Sequence, residues 1–156
     1  MSLCPHGHDS PTRTGYCETC GSRMVRWRLT ARADRRYYDF VRTAGGADIP
    51  FPAFCPDRRF DLRRGRLLIG RASVSRGIEP QIDLTGPPED SSIGRSHALL
   101  VTRPDNTWTL VDLDSVNGTY LNYSTDPLEP HVPVPVGAGD LIHVGGWTTL
   151  SLSAGE

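Results

Sequence analysis

The stretch "SSIGRSHALL" (91–100) sets an arginine and a histidine directly before an apolar run. Read outward, the run continues as "HALLVT", a strand by its β-branched and apolar content. Similar short segments flank it. "RRFDL", "RLLIG" and "QIDL" lie before it; "TWTLVDL", "TYLN", "DLIHVG" and "TTLSLS" lie after it. The intervening "TGPPEDSS", "RPDN", "DSVNG" and "PVGAG" are turns by their Gly, Pro, Asp and Asn content. Many short strands without a sustained helical period predict an all-β sandwich. Asn117-Gly118 between "TLVDLDS" and "TYLN" predicts a hairpin, because both residues tolerate positive φ. The Pro-rich "DPLEPHVPVPV" predicts a sheet edge or a connecting loop, since Pro cannot donate to a ladder.

Further upstream, "RWRLTAR" alternates Trp27, Leu29 and Ala31 with polar neighbours, the period of a half-buried strand. "ADRRYYDFV" is open between a helical turn capped by Asp34 and a continuation of that strand. "TAGGADIPFPAFCP" reads as a loop, with Cys55 expected to pack as a small apolar residue.

The chain of 156 residues carries a net charge of −1, which predicts no general attraction to nucleic acid. Its charge is uneven: residues 1–76 hold fifteen Arg against seven acids, and residues 77–156 hold two Arg against eleven. Lysine is absent; Arg suits bidentate phosphate contacts, but a GC-rich genome explains the same bias. No apolar run is long enough to cross a bilayer. "MSLCPHGHDS" has neither the basic start nor the apolar segment of a signal peptide, so a cytoplasmic location is expected.

Three of the four cysteines fall in "CPHGHDSPTRTGYCETCG". Cys17 and Cys20 form C-x-x-C before a glycine, and Cys4 with His8 supplies a second pair; His6 competes for the histidine place. Two thiolates at that spacing reach one tetrahedral zinc, and four ligands close the site to catalysis. The segment has almost no apolar core of its own, so bound metal would supply its folding free energy, roughly 10 kcal/mol or more. Disulfides are the alternative, disfavoured without an export signal. The expected reading is structural zinc on Cys4, His8, Cys17 and Cys20, in a stretch that resembles half a zinc ribbon.

Catalysis finds little support. Ser96, His97 and Asp112 or Asp114 have triad chemistry, but neighbours on a strand point to opposite faces. No nucleophile elbow, P-loop or dinucleotide fingerprint is present. Glu89-Asp90 sits in a turn, where solvated charge is the ordinary expectation.

Four features then occur in order: "IGR" (69–71), "IGRSHALL" (93–100), "VDLDSVNGTYLN" (111–122) and "GAGDLIHVGGWTTLSL" (137–152). The set resembles a forkhead-associated (FHA) domain, with Gly-Arg, Ser-Arg-x-His, Asn-Gly-Thr and Gly-Asp in register. With the half ribbon ahead of it, the layout is similar to actinobacterial FHA proteins. The resemblance implies an FHA-like β-sandwich over 57–156, a zinc-ribbon-like module over 1–24, and residues 25–56 as a strand and loop added to the sandwich. It implies a non-catalytic signalling adaptor that binds phosphothreonine segments made by a Ser/Thr kinase; no membrane partner is expected, and nucleic acid, which the zinc module and the Arg-rich segment 23–36 would contact, is the less favoured partner. Phosphopeptide contacts then fall to Arg71, Arg95, Asn117 and Ser92, with His97 and Gly118 bracing the loops. Gly94 stands where the family serine donates to phosphate, and Val116 where many members carry Thr or Ser. Ser73, Ser75, Arg76, Ser91 and the Gly94 N–H are the available substitutes. The alternative reading is a degenerate FHA scaffold that binds protein partners independently of phosphate.

Overall fold

Alternation over "RWRLTAR" produces the longest strand, β2 (Val25–Ala33). Leu29 and Ala31 turn inward, and Trp27 meets Trp108 edge to face at 6.1 Å between ring centroids. The alternate residues Arg26, Arg28 and Arg32 stay in solvent. The structure is a computed structural model describing residues 2–9, 14–46 and 48–155; residues 10–13 of the cysteine-rich segment lie outside it.

β2 pairs antiparallel with β11 (Thr148–Gly155) from Thr148↔Ala33 to Gly155↔Arg26. The first sheet runs β1 (Ser2–Leu3), β2, β11, β10 (Leu141–Val144), β8 (Thr119–Leu121), with β3 (Arg58–Asp61) also on β2. The second runs β5 (Ile82–Asp83), β4 (Arg66–Gly70), β6 (Ala98–Thr102), β7 (Trp108–Asp112), β9 (Val134–Val136). Leu29, Ile69, Leu100, Trp108, Leu110, Ile142 and Leu150 are fully buried between them. Each contributes about 1.5–3 kcal/mol by leaving water. The all-β sandwich is therefore as the strand spacing predicts. β9, cut from the Pro-rich stretch, is an edge with β7 as its sheet partner.

The ambiguous "ADRRYYDFV" is a helix, α1 (Arg35–Thr43). Asp34 caps it by accepting from the Tyr37 N–H, and the same carboxylate accepts from the Thr149 and Tyr123 hydroxyls at 2.6 Å each. That triple anchorage stops β2 and starts the helix. Tyr37 lies over His143 on the outer face of the first sheet, centroids 5.1 Å apart. Cys55, expected to pack as a small apolar residue, is a free thiol half-buried in the following loop.

The Asn117-Gly118 hairpin is not formed. β7 and β8 belong to different sheets, and β8 pairs with β10 through Tyr120↔His143. Gly118 takes positive φ (82°), but the other left-handed residue of the loop is Asp114 (59°), not Asn117. The reason is tertiary. The buried Asp112 carboxylate accepts from the Ser115 N–H (3.2 Å), the Ser115 hydroxyl (2.5 Å) and the Thr119 hydroxyl (2.6 Å). It winds 113–118 into an arch that crosses between sheets.

The strands order the two ends of the sandwich. The loops 71–81, 84–97 and 113–118 gather at one end. The β6–β7 turn lies at the other, where the Asn106 side chain donates to the Cys4 carbonyl (2.9 Å) and accepts from Arg64.

Candidate functional site

Four segments meet at the first end. β4 delivers Gly70 and Arg71. A Cβ at position 70 would lie 1.8 Å from the Arg95 carbonyl oxygen, so only glycine lets the 94–96 segment cross so close. Arg71, Arg76, Ile78, Ser91, Ser92, Gly94, Arg95, Ser96, Val116 and Asn117 line a hollow of about 440 Å³ together with Ile93. Three guanidinium groups rim it and no carboxylate lines it. Val116 stands exposed in its lining.

His97 ties the loops together. It is fully buried; the Gly94 N–H donates to Nδ1 (2.9 Å), which leaves Nε2 to carry the proton and donate to the Gly118 carbonyl (3.0 Å). Ser96, by contrast, is exposed and lines the hollow. Asn117 adds a second link by donating from Nδ2 to the Ser92 carbonyl at 3.0 Å. Asn117 and Ser92 therefore hold two of the loops together.

The histidine geometry has a pH consequence. Burial holds His97 below its ordinary pKa, and burial drives His143 down to about 4 despite Asp34 nearby. Both are neutral when folded, and the unfolded chain takes up protons first. Stability is thus complete above pH 6.5 and falls as pH drops towards 4. His143 alone implies a loss of about 2 kcal/mol between pH 7.5 and 5.0. Urea denaturation at those two pH values measures it, and His143→Gln should remove most of the slope.

Arg71, expected to contact phosphate, is already engaged. Its Nε donates to the Ile93 carbonyl (2.6 Å), and Nη1 pairs with Glu89 Oε1 (3.1 Å). The Gly94 N–H, a sequence candidate for replacing the missing serine, is taken by His97. Ser73 and Ser75 bond to each other (3.4 Å) and do not line the hollow. Arg76 and Ser91 do line it, and neither has a motif that singles it out. Asp90 is a further correction. It is no solvated turn acid but fully buried, accepting from the Ser92, Gly146 and Trp147 N–H groups and the Thr148 hydroxyl. No triad assembles: Asp112 serves Ser115 and Thr119, and the His97 nitrogens are both on backbone.

The sequence matches the FHA domain family across residues 67–145, which spans the strands and loops that build this hollow. The chain belongs to the FHA domain family. It is 30% identical over 106 residues to the oxoglutarate dehydrogenase inhibitor of Corynebacterium diphtheriae, covering 66% of this chain and 68% of that one. The yeast Pml1 splicing factor superposes with a TM-score of 0.62 at 17% identity, covering 96% and 97%. Mycobacterium tuberculosis EmbR, solved with a low affinity phosphopeptide, superposes with a TM-score of 0.51 at 19% identity, covering 90% of this chain and 27% of that one. At such identities the likeness speaks for the fold.

At the far end of this FHA sandwich, the ligand atoms of Cys4, His8, Cys17 and Cys20 all lie within 4.8 Å of one another. Cys4 Sγ is 3.6 Å from His8 Nδ1 and 3.7 Å from Cys20 Sγ; Cys17 Sγ is 3.8 Å from His8 Nδ1. The edge of a tetrahedron with metal–sulfur bonds of about 2.3 Å is about 3.75 Å, so the set fits a four-coordinate metal ion. A disulfide needs about 2.05 Å, and none of these cysteines forms one. The Ser22 hydroxyl and N–H, then His6, pull the Cys20 thiol down to about 5, into thiolate form at neutral pH. His6 bonds Ser22 Oγ at 3.0 Å and stands outside the ligand set. Among the described residues, no helix is long and apolar enough to cross a membrane.

Proposed function

We propose that this protein is a non-catalytic adaptor that binds phosphothreonine segments of partner proteins, products of a Ser/Thr kinase, through its FHA loops. The observation that carries the reading is the hollow rimmed by Arg71, Arg76 and Arg95 beside Asn117. A phosphothreonine brings about −1.5 to −2 charges and three acceptor oxygens into it. Arg71, held by Ile93 at one edge, presents its fork to the phosphate; Arg95 adds a second cation. Asn117 accepts from the peptide backbone through its amide oxygen while Nδ2 stays on Ser92. His97 and Gly118 hold the loops in place and touch no ligand. EmbR shows a protein of this fold holding a phosphopeptide.

Titration with a phosphothreonine peptide library tests the reading. Arg71→Ala should weaken binding about a hundredfold, the equivalent of one bidentate charge-assisted contact. Gly94→Ser should tighten it about tenfold. A Cβ there meets His97 only at ordinary contact distances, 3.5 Å and beyond, so the hydroxyl fits. No binding by either the wild type or Gly94→Ser, with partner capture unchanged after phosphatase treatment, would favour the phosphate-independent scaffold. The pairing of Arg71 with Glu89 is the observation on that side.

We further propose that the cluster of Cys4, His8, Cys17 and Cys20 holds structural zinc in an N-terminal module spanning 1–24, which docks on the sandwich through Asn106. Elemental analysis should find one zinc per chain, and a chelator should lower the melting temperature of the whole protein. A chain that purifies without metal and melts unchanged would remove the idea.

A further inference from the structure

Glu89 stands beside the cationic hollow and already pairs with one of its three arginines. Its Oε1 lies 3.1 Å from Arg71 Nη1, with Arg71 only 17% exposed and Glu89 42%. Arg76 and Arg95 have no carboxylate partner among the described residues. Glu89 is also placed with little freedom at its backbone. A Cβ on Gly86 would meet Glu89 Cβ at 2.7 Å, so the turn beneath it is tight, and the next residue, Asp90, is buried and bonded to backbone on the facing hairpin.

We propose that Glu89 is a specificity-determining residue, a resident carboxylate that any ligand anion must displace from Arg71. This rests on the phosphopeptide reading above. The chemistry is an exchange. An aspartate or glutamate side chain replaces one carboxylate with another, so Arg71 gains nothing, and the displaced Glu89 remains nearby as a like charge. A phosphate brings a second negative charge and a third oxygen, enough to engage Arg71 together with Arg76 or Arg95. Glu89 is half-exposed and can swing into water, and a pair of that exposure resists displacement by about fivefold or less. The dianion overcomes that resistance and the monoanion does not. The cost of displacing Glu89 is common to both anions, so it pushes the weaker acidic ligand below measurable binding and leaves the phosphorylated threonine bound.

The test is fluorescence anisotropy at low ionic strength with two labelled peptide pools. One carries phosphothreonine at a fixed position, and the other carries glutamate there. Wild type should bind only the phosphorylated pool. Glu89→Gln, a surface change that leaves the fold intact, should bind it about two- to fivefold more tightly and should gain measurable binding to the glutamate pool. Binding of the phosphorylated pool by Glu89→Gln alone would also support the proposal, as a stronger block than expected. If wild type binds the phosphorylated pool and Glu89→Gln changes neither affinity, or weakens the first, the role of Glu89 falls and the phosphopeptide reading stands. Binding of that pool by neither protein overturns both.

Discussion

Replacing Asp90 with Ala is expected to destabilise the protein by about 4 kcal/mol, because three buried donors and the half-buried Ser92 N–H lose one acceptor. The carboxylate has no exposed surface. It takes the Gly146 N–H on both oxygens at 3.0 Å, the Trp147 N–H at 3.0 Å, the Thr148 hydroxyl at 2.8 Å and the Ser92 N–H at 3.2 Å. Asp90→Asn should be nearly as damaging, since its amide N–H₂ would face donors. The loss should be greatest where Asp90 joins the 89–93 loop to the turn between β10 and β11. Urea denaturation measures the total, and amide exchange at Gly146 and Trp147 reports the local opening. A loss under 1 kcal/mol would show that the carboxylate does not organise this end of the sandwich.

The second large effect is at Gly70. An added Cβ would sit 1.8 Å from the Arg95 carbonyl oxygen, 2.7 Å from its carbon and 3.1 Å from the Gly94 oxygen. All three are backbone atoms, so no side-chain rotation relieves the clash. Either β4 or the 94–96 segment must move, and they are joined by the His97 N–H to the Ile69 carbonyl at 3.0 Å. Gly70→Ala should therefore cost more than about 3 kcal/mol. Any folded fraction should lose phosphopeptide binding, because the shift separates Arg71 from Arg95. Gly137→Ala is the control. Nothing lies within 4 Å of its Cβ and its φ is ordinary, so a change within about 0.5 kcal/mol is expected. Equal stability of the two variants would refute the packing argument.

The contrast between Asp90 and its neighbour Glu89 shows how far local sequence can be read. Both sit in the same Pro- and Ser-rich turn, and composition assigns both to solvent. One is wholly buried on the facing hairpin, and the other pairs with Arg71. The decisive partners, at positions 146–148 and 71, are far away in sequence. Asn117 gives the same lesson from the other side. Asn-Gly chemistry is read as a hairpin, but the chain only bends there and the strands it joins belong to different sheets. Asp112, fixed by Ser115 and Thr119, overrides the local hairpin preference.

By itself, the sequence determined the inventory: alternating strands, a cysteine–histidine set at metal spacing, and an ordered series of loop motifs around Arg71, His97 and Asn117. Those depend on side-chain period and on spacing along the chain, which are local properties. Only the tertiary structure decided which N–H the histidine consumes, that Arg71 already holds a carboxylate, and that Arg76 and Ser91 reach the hollow. Those depend on where remote segments cross, and hydrogen-bonding capacity is a finite quantity. A donor or cation that looks available in the chain is available in the protein only if no neighbour brought in by folding has already satisfied it.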